Sequence, residues 1–175
     1  MEPARPRDAL ATLALHRAVL QEGRWFVATA DEAVGSLTVR EALIRRSAGS
    51  DSSAFWVARH PHDGVVGTLT AMGGVLQRCR HVASIEMMVA AESRGQGTGR
   101  ALLAAAIAWA EANPVLSRLT LAVFADNARA ISLYESVGFV EEGRRVGEYR
   151  EPDGSLRDDV LMARRVGGRW GSASV

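Results

Sequence analysis

Over the first fifty residues the apolar positions recur every three or four places; from residue 54 the period changes to alternation, interrupted over 101–112 and 127–136. In residues 9–21, Leu10, Leu13, Ala14, Arg17 and the pair Val19-Leu20 make a partly apolar stripe. That spacing predicts a helix, with Asp8 placed to cap it and Glu22-Gly23 to end it. A second helix is predicted over 39–46, where Thr38 and Glu41 stand at the spacing of a capping box. Residues 47–53 are mostly Ser, Gly and Asp and read as a loop. Residues 54–59 and 65–72 read as strands around a turn at 60–64. Gly73-Gly74 points to a bulge or bend before a strand over 81–89. A glycine-rich segment follows that strand directly. After it, an alanine- and leucine-rich helix over 101–112 is stopped by Asn113-Pro114. In residues 118–123, Leu119, Leu121 and Val123 face one way and Arg118, Thr120 and Ala122 the other, the signature of a strand. A short helix over 127–136 closes at Gly138. Residues 140–146 and 156–163 form a last hairpin across Glu151-Pro152-Asp153-Gly154. Residues 1–7 read either as a loose end or as a short first strand. Helices, then a meander of strands, then strand–helix–strand–helix–strand predict one mixed α/β domain over 1–166, with 167–175 as a tail.

Composition narrows the chemistry. At 175 residues, roughly two-thirds of the unfolded surface can be buried, enough for one sizeable core. A net charge of +1 implies no pull toward nucleic acid or an anionic membrane. All 21 basic residues are arginine, so Schiff-base chemistry and a phosphate-loop lysine are excluded. One cysteine, Cys79, allows no intrachain disulfide, and no His–acid pattern near it supports a nucleophile; a turn or strand position is the better reading. His60 and His62 sit in a turn with no third ligand nearby, so no metal is expected. No apolar run reaches the ~20 residues a membrane span needs, and the N-terminus lacks a signal-peptide pattern; a cytoplasmic protein is expected.

The segment Arg94-Gly95-Gln96-Gly97-Thr98-Gly99-Arg100 joins a strand to a helix start. A helix N-terminus offers unpaired N–H groups and positive dipole charge, and glycines let an anion approach that backbone closely. The dinucleotide fingerprint fails here, because the sixth place is Arg100 counted from Gly95 and Leu102 counted from Gly97. What remains is Arg-x-x-Gly-x-Gly, from Arg94 through Gly97 to Gly99. This resembles the acyl-CoA pyrophosphate loop of the GNAT superfamily of N-acetyltransferases. Upstream, Ile85-Glu86-Met87-Met88-Val89 looks like that family's fourth strand, with Ala91 in place of its usual proline. Downstream, Asn127-Ala128-Arg129-Ala130-Ile131-Ser132-Leu133-Tyr134-Glu135-Ser136-Val137-Gly138-Phe139 is similar to its second signature. The resemblance covers residues 54–163 and implies a central, mostly antiparallel sheet that splays between its fourth and fifth strands, flanked by helices.

The resemblance implies an acetyltransferase that moves an acetyl group from acetyl-CoA directly to a primary amine of a small molecule or a protein N-terminus, both substrates bound together. The alternative is a domain that holds acyl-CoA as a sensor and transfers nothing. An alkyl ammonium is only about one part in two thousand neutral at pH 7, so a proton acceptor is useful. Glu86 is the candidate base, since a carboxylate in an apolar strand is costly unless a cavity, water or partner serves it; a surface or structurally bonded glutamate is the plain reading. Tyr134 matches the family's tyrosine and is the candidate acid for the leaving thiolate, against a reading as a core aromatic. By resemblance, backbone groups of Met88 and Val89 pair with the pantetheine arm, and Asn127 bonds it, caps a helix, or does both. Acceptor walls are expected between Trp25 and Thr38 and on the last hairpin, with Arg144, Arg145, Tyr149, Asp158 and Asp159. Members of the family often pair, so a homodimer is left open.

Overall fold

The computed structural model describes residues 1–29, 31, 32 and 35–167; the expected tail beyond Gly167 lies outside the described residues. The chain opens with strand β1 (Glu2–Pro3), then helix α1 (Ala9–Gln21) and helix α2 (Leu37–Ala48). Strands β2 (Ala54–His60), β3 (Gly64–Gly73) and β4 (Val82–Val89) follow, then helix α3 (Thr98–Ala112), strand β5 (Arg118–Phe124), helix α4 (Ala128–Glu135) and strands β6 (Val140–Arg150) and β7 (Leu156–Arg165). The strands form one sheet in the order β1-β2-β3-β4-β5-β7-β6. Every pairing is antiparallel except β4 with β5. This is the mixed α/β sheet that the resemblance implies. Among the described residues no helix is long and apolar enough to cross a membrane.

Register decides which residues share a face. Trp56, Leu69, Met87, Ala83 and Leu119 lie on one side, where α3 packs; there the Trp56 and Trp109 rings meet edge to face at 5.3 Å. Phe55, Val57, Thr70, Glu86, Ala122 and Asp159 lie on the other. On that side Phe55 and Val57 cluster with Ala9 of α1 and Ile44 of α2. The apolar helix stripes and the strand alternation therefore build two helical layers on one sheet.

Three local expectations are corrected. α2 starts at Leu37 and is capped by Ser36, whose Oγ accepts from Val39 N–H, so the Thr38–Glu41 box is not formed. Asp8 does not cap α1; its buried carboxylate accepts from Arg5 N–H at 2.8 Å and from Arg59 at 2.5 Å. Of the bulge or bend expected at Gly73-Gly74, the structure has the bend, at 75–76, and no bulge. The glycines allow close passage, since a Cβ at Gly74 would lie 2.4 Å from the Cys79 carbonyl oxygen. And α3 starts at Thr98 rather than 101, so the glycine segment runs into the helix itself. Cys79 lies in a short 3-10 turn, as expected.

Candidate active site

β4 pairs with β5 only from Val82 to Ser84, against Arg118 to Thr120, and beyond that point the strands part. Alternation says which backbone groups face the opening. Ala90 N–H bonds Val66 C=O and Gly74 N–H bonds Val82 C=O, both on β3, whereas the His81 carbonyl accepts from Ser117 and Arg118. Even-numbered residues of β4 thus turn their backbone to β3 and odd-numbered ones turn it to the gap. Met88 is corrected on this ground, because its backbone groups face β3. Met87 and Val89 present theirs to the gap, and the Val89 carbonyl accepts from Arg94 Nε at 2.9 Å.

The glycine segment is a turn with two left-handed residues, Gly95 at φ 79° and Gly97 at φ 84°, the second being the N-cap of α3. An L side chain is strained at either place. The first helical bond runs from Ala101 N–H to Gly97 C=O, so the N–H groups of Thr98, Gly99 and Arg100 precede it, as at every helix start. The side chains flanking them mostly brace the turn. Arg94 is bidentate to Glu22 at 2.7 and 2.5 Å, Gln96 donates to the Glu92 carbonyl, and Arg100 reaches Ser136 on α4. A Cβ at Gly99 would lie 3.2 Å from Leu133 and 3.3 Å from Met87, so this glycine lets α3, α4 and β4 pack closely. Arg129 was missed by the sequence reading: its guanidinium lies 3.3 Å from where a Gly95 Cβ would stand, over the turn. Asn127 caps α4, its Oδ1 accepting from Ala130 N–H at 3.2 Å.

Tyr134 is buried, its ring 5.9 Å from that of Phe139. Its carbonyl accepts from Val137 and Phe139 N–H, which closes α4 at Gly138. Burial pushes its pKa up to about 12, and the negative charge of Glu86 adds to the shift. The hydroxyl therefore keeps its proton at neutral pH, and the two candidate side chains sense each other although they come from α4 and β4. Glu86 is exposed, like Ser84 and Ala122 on the same face. Its pKa is nevertheless raised, first by burial, with the opposing charge of Arg40 lowering it. Open surface and a raised pKa go together in a carboxylate on the floor of a cleft, where water reaches it from one side only.

One wall of that cleft comes from α1 and α2. Arg40 of α2 donates through Nη2 to His16 Nδ1 on α1. Arginine only donates, so Nδ1 must accept and His16 is the Nε2–H tautomer. Burial first, then the Arg40 charge, lowers the His16 pKa, which keeps the ring neutral. Sequence reading missed both residues. Arg40 stands four before Ile44 and seven before Ser47, the two buried residues of α2, so a charge on the inward stripe was the available signal.

The opposite wall comes from the last hairpin. Between Arg145 and Tyr149 the register of β6 against β7 slips by two residues. This bulge turns Tyr149 so that its hydroxyl lies 3.5 Å from buried Asp159, with Arg145 3.7 Å from the same carboxylate. Burial pushes the Asp159 pKa up. Asp158 serves the bulge, accepting from Gly147 N–H, and Arg144 pairs with Glu141, so neither joins this wall. Arg157 ties the wall to the loop after α1. It pairs with Asp126 and Glu151, donates to the Arg24 carbonyl, and lies over Phe124 at 3.9 Å and Trp25 at 5.6 Å.

The model of the acetyltransferase (GNAT) family matches residues 14–139. A spermidine N(1)-acetyltransferase from Vibrio cholerae is 36% identical over 67 residues, 38% of this chain. The match spans only 39% of that relative's length. The structure of an acetyltransferase of the GNAT family from Streptococcus pneumoniae superposes with a TM-score of 0.89 at 26% identity, covering 95% of this chain and 98% of that one. A GNAT superfamily phosphinothricin acetyltransferase from Sinorhizobium meliloti, solved with acetyl-CoA, shares the fold at a TM-score of 0.84, 20% identity and coverage of 99% and 90%.

Proposed function

The chain belongs to the acetyltransferase (GNAT) family, and from that premise we propose that it transfers an acetyl group from acetyl-CoA directly to a primary amine, of a small molecule or a protein N-terminus, with both substrates bound. The observation that carries this reading is the parting of β4 from β5 beyond Ser84, directly ahead of the left-handed Gly95–Gly97 turn that opens α3.

The residues present suit acetyl-CoA. The Gly95–Gly97 turn, the first N–H groups of α3 and the Arg129 guanidinium offer a cationic, uncrowded seat for phosphate. A Cβ at Gly97 would meet nothing within 4 Å, which leaves the turn open to a ligand. Within Arg94-Gly95-Gln96-Gly97-Thr98-Gly99-Arg100, the backbone makes this seat, while Arg94, Gln96 and Arg100 brace it with their side chains. Met87 and Val89 offer backbone groups to the pantetheine arm, and Asn127 keeps its amide N–H₂ for it. Acetyl-CoA supplies the acetyl group as a thioester. Glu86 takes the proton that the acceptor ammonium must lose, and its raised pKa brings it nearer to neutral pH, where a general base works best. A gap-facing N–H of β4 donates to the thioester oxygen as charge develops there; such a donor typically contributes ~3 kcal/mol. The Tyr134 hydroxyl gives its proton to the departing sulfur.

The test is release of free CoA thiol from acetyl-CoA over a panel of monoamines, polyamines, amino acids and N-terminal peptides. Thiol release with at least one class, together with an N-acetylated product, is the expected result. Acetyl-CoA binding with no thiol released by any amine would overturn the transfer reading.

A further inference from the structure

Arg40 is set differently from three arginines of the walls and the turn, Arg94, Arg145 and Arg157. Each of those three holds a carboxylate within 4 Å. Arg40 is half-buried, and among the described residues its hydrogen bond is to His16, a neutral ring that supplies no negative charge. Burial lowers the Arg40 pKa, whereas the carboxylates around Arg59 and Arg157 raise theirs. A desolvated guanidinium without a contacting anion is unfavourable and strongly disposed to take one. Glu86 acts on it as a distant charge only; no ion pair joins the two among the described residues.

Arg40 of α2 and Glu86 of β4 thus stand on the same side of the sheet, the side on which α2 packs, without pairing with each other, and Ser84 and Ala122 are exposed beside Glu86. The Nη2 of Arg40 is held by His16, which fixes the plane of the guanidinium and leaves its other donors for a ligand. The complement of this arrangement is a zwitterion. Its ammonium belongs beside Glu86, where the proton must be removed, and its anion belongs on Arg40.

We propose that the acceptor is a free α-amino acid, whose carboxylate pairs with Arg40 while its amine faces Glu86. This deepens the transfer reading above and rests on it. It sets the free acid apart from the other acceptors that reading allows, because neither a polyamine nor a peptide N-terminus carries an α-carboxylate. Arg40 then acts as a specificity residue, lowering KM for acceptors that bear the anion. His16 is a positioning residue that holds the guanidinium.

The test compares free α-amino acids with their own α-carboxamides, which keep the amine and side chain and lose the charge. Steady-state kcat/KM with acetyl-CoA should favour the acid over its amide by at least about tenfold, since the amide loses a charge-assisted pair. In Arg40→Gln the acid-to-amide ratio should fall to about one, and Arg40→Lys should keep part of it. Equal rates for acid and amide in the wild type, or polyamines preferred over every amino acid, would overturn the proposal and leave the transfer reading intact. If no amine releases thiol, the transfer reading fails by itself. The carboxylate site is then judged by calorimetry of the same acids and amides: binding of acids alone, lost in Arg40→Gln, supports it, and no difference overturns it.

Discussion

Along its edge with β3, strand β4 pairs residue for residue from Ala83 to Val89; along its edge with β5 it lets go after Ser84. The first edge only has to be a wall. The second gives up ladder bonds, and backbone groups left without partners are costly away from water unless a ligand or solvent takes them. The two sides of the resulting cleft are also built differently. The proposed donor side is made from two short stretches: the turn around Gly95 and Gly97, which Arg94 ties to Glu22 and Arg100 to Ser136, and the helix that Asn127 caps. The proposed acceptor side joins residues from separate elements: Arg40 with His16, Tyr149 with Asp159, and Arg157 with Asp126 and Trp25. Damage to the donor side should therefore appear as loss of acetyl-CoA affinity, and damage to the acceptor side as altered choice of amine.

The largest effect should come where the two sides meet. Glu86→Gln is expected to lower kcat/KM by ~10³-fold at neutral pH, since it removes the group proposed to take the amine's proton. The base has to be ionised, so the wild-type rate should rise with pH through the Glu86 pKa. Burial raises that pKa, which puts the acid limb above the ordinary carboxylate range. The variant should lose this limb in a pH–rate profile. A limb that survives would assign it to another group.

Tyr134→Phe should cost ~10²-fold in kcat, because the ring and its contact with Phe139 remain while the proposed proton donor is gone. Acetyl-CoA affinity and Tm should hold. Tyr134 is part of the main core, so a fully active variant would return it to a packing role.

Smaller effects separate the two donor-side glycines. A Cβ at Gly97 meets nothing within 4 Å, but the φ of 84° costs an L residue roughly 1–2 kcal/mol. Gly97→Val is expected to weaken acetyl-CoA binding ~10-fold by calorimetry, through strain in the turn and loss of the open approach. At Gly99 a Cβ would press on Leu133 and Met87 instead, so Gly99→Ala should lower Tm by a few degrees. The reverse pattern, with Gly97 affecting stability and Gly99 affinity, would invert the assignment of the two positions.

The sequence by itself determined the order of elements, the glycine turn ahead of α3 and the cap of α4. Those depend on periodicity and on backbone conformations that a few neighbouring residues impose: left-handed glycines, a cap at Asn127, a closed helix end at Gly138. Boundaries slipped where local rules competed. Ser36 caps α2 two places ahead of the expected box, and Asp8, free by sequence to cap α1, was claimed by Arg59 across the sheet edge. Only the tertiary structure decided which side chains work and which brace. Arg94 reads as a phosphate ligand in sequence, yet Glu22 and the Val89 carbonyl hold its guanidinium, while Arg129 lies over the turn. Met88 reads like Met87, and only the hydrogen bonds of Ala90 and Val82 reveal which of the two turns its backbone to the gap. Arg40 is one arginine among 21 until α1 and α2 bury it beside a neutral histidine and within the field of Glu86. The reason is physical. Backbone conformation is set over a few residues, whereas the charge a side chain senses is summed over whatever the fold brings near, and sequence spacing does not encode that sum.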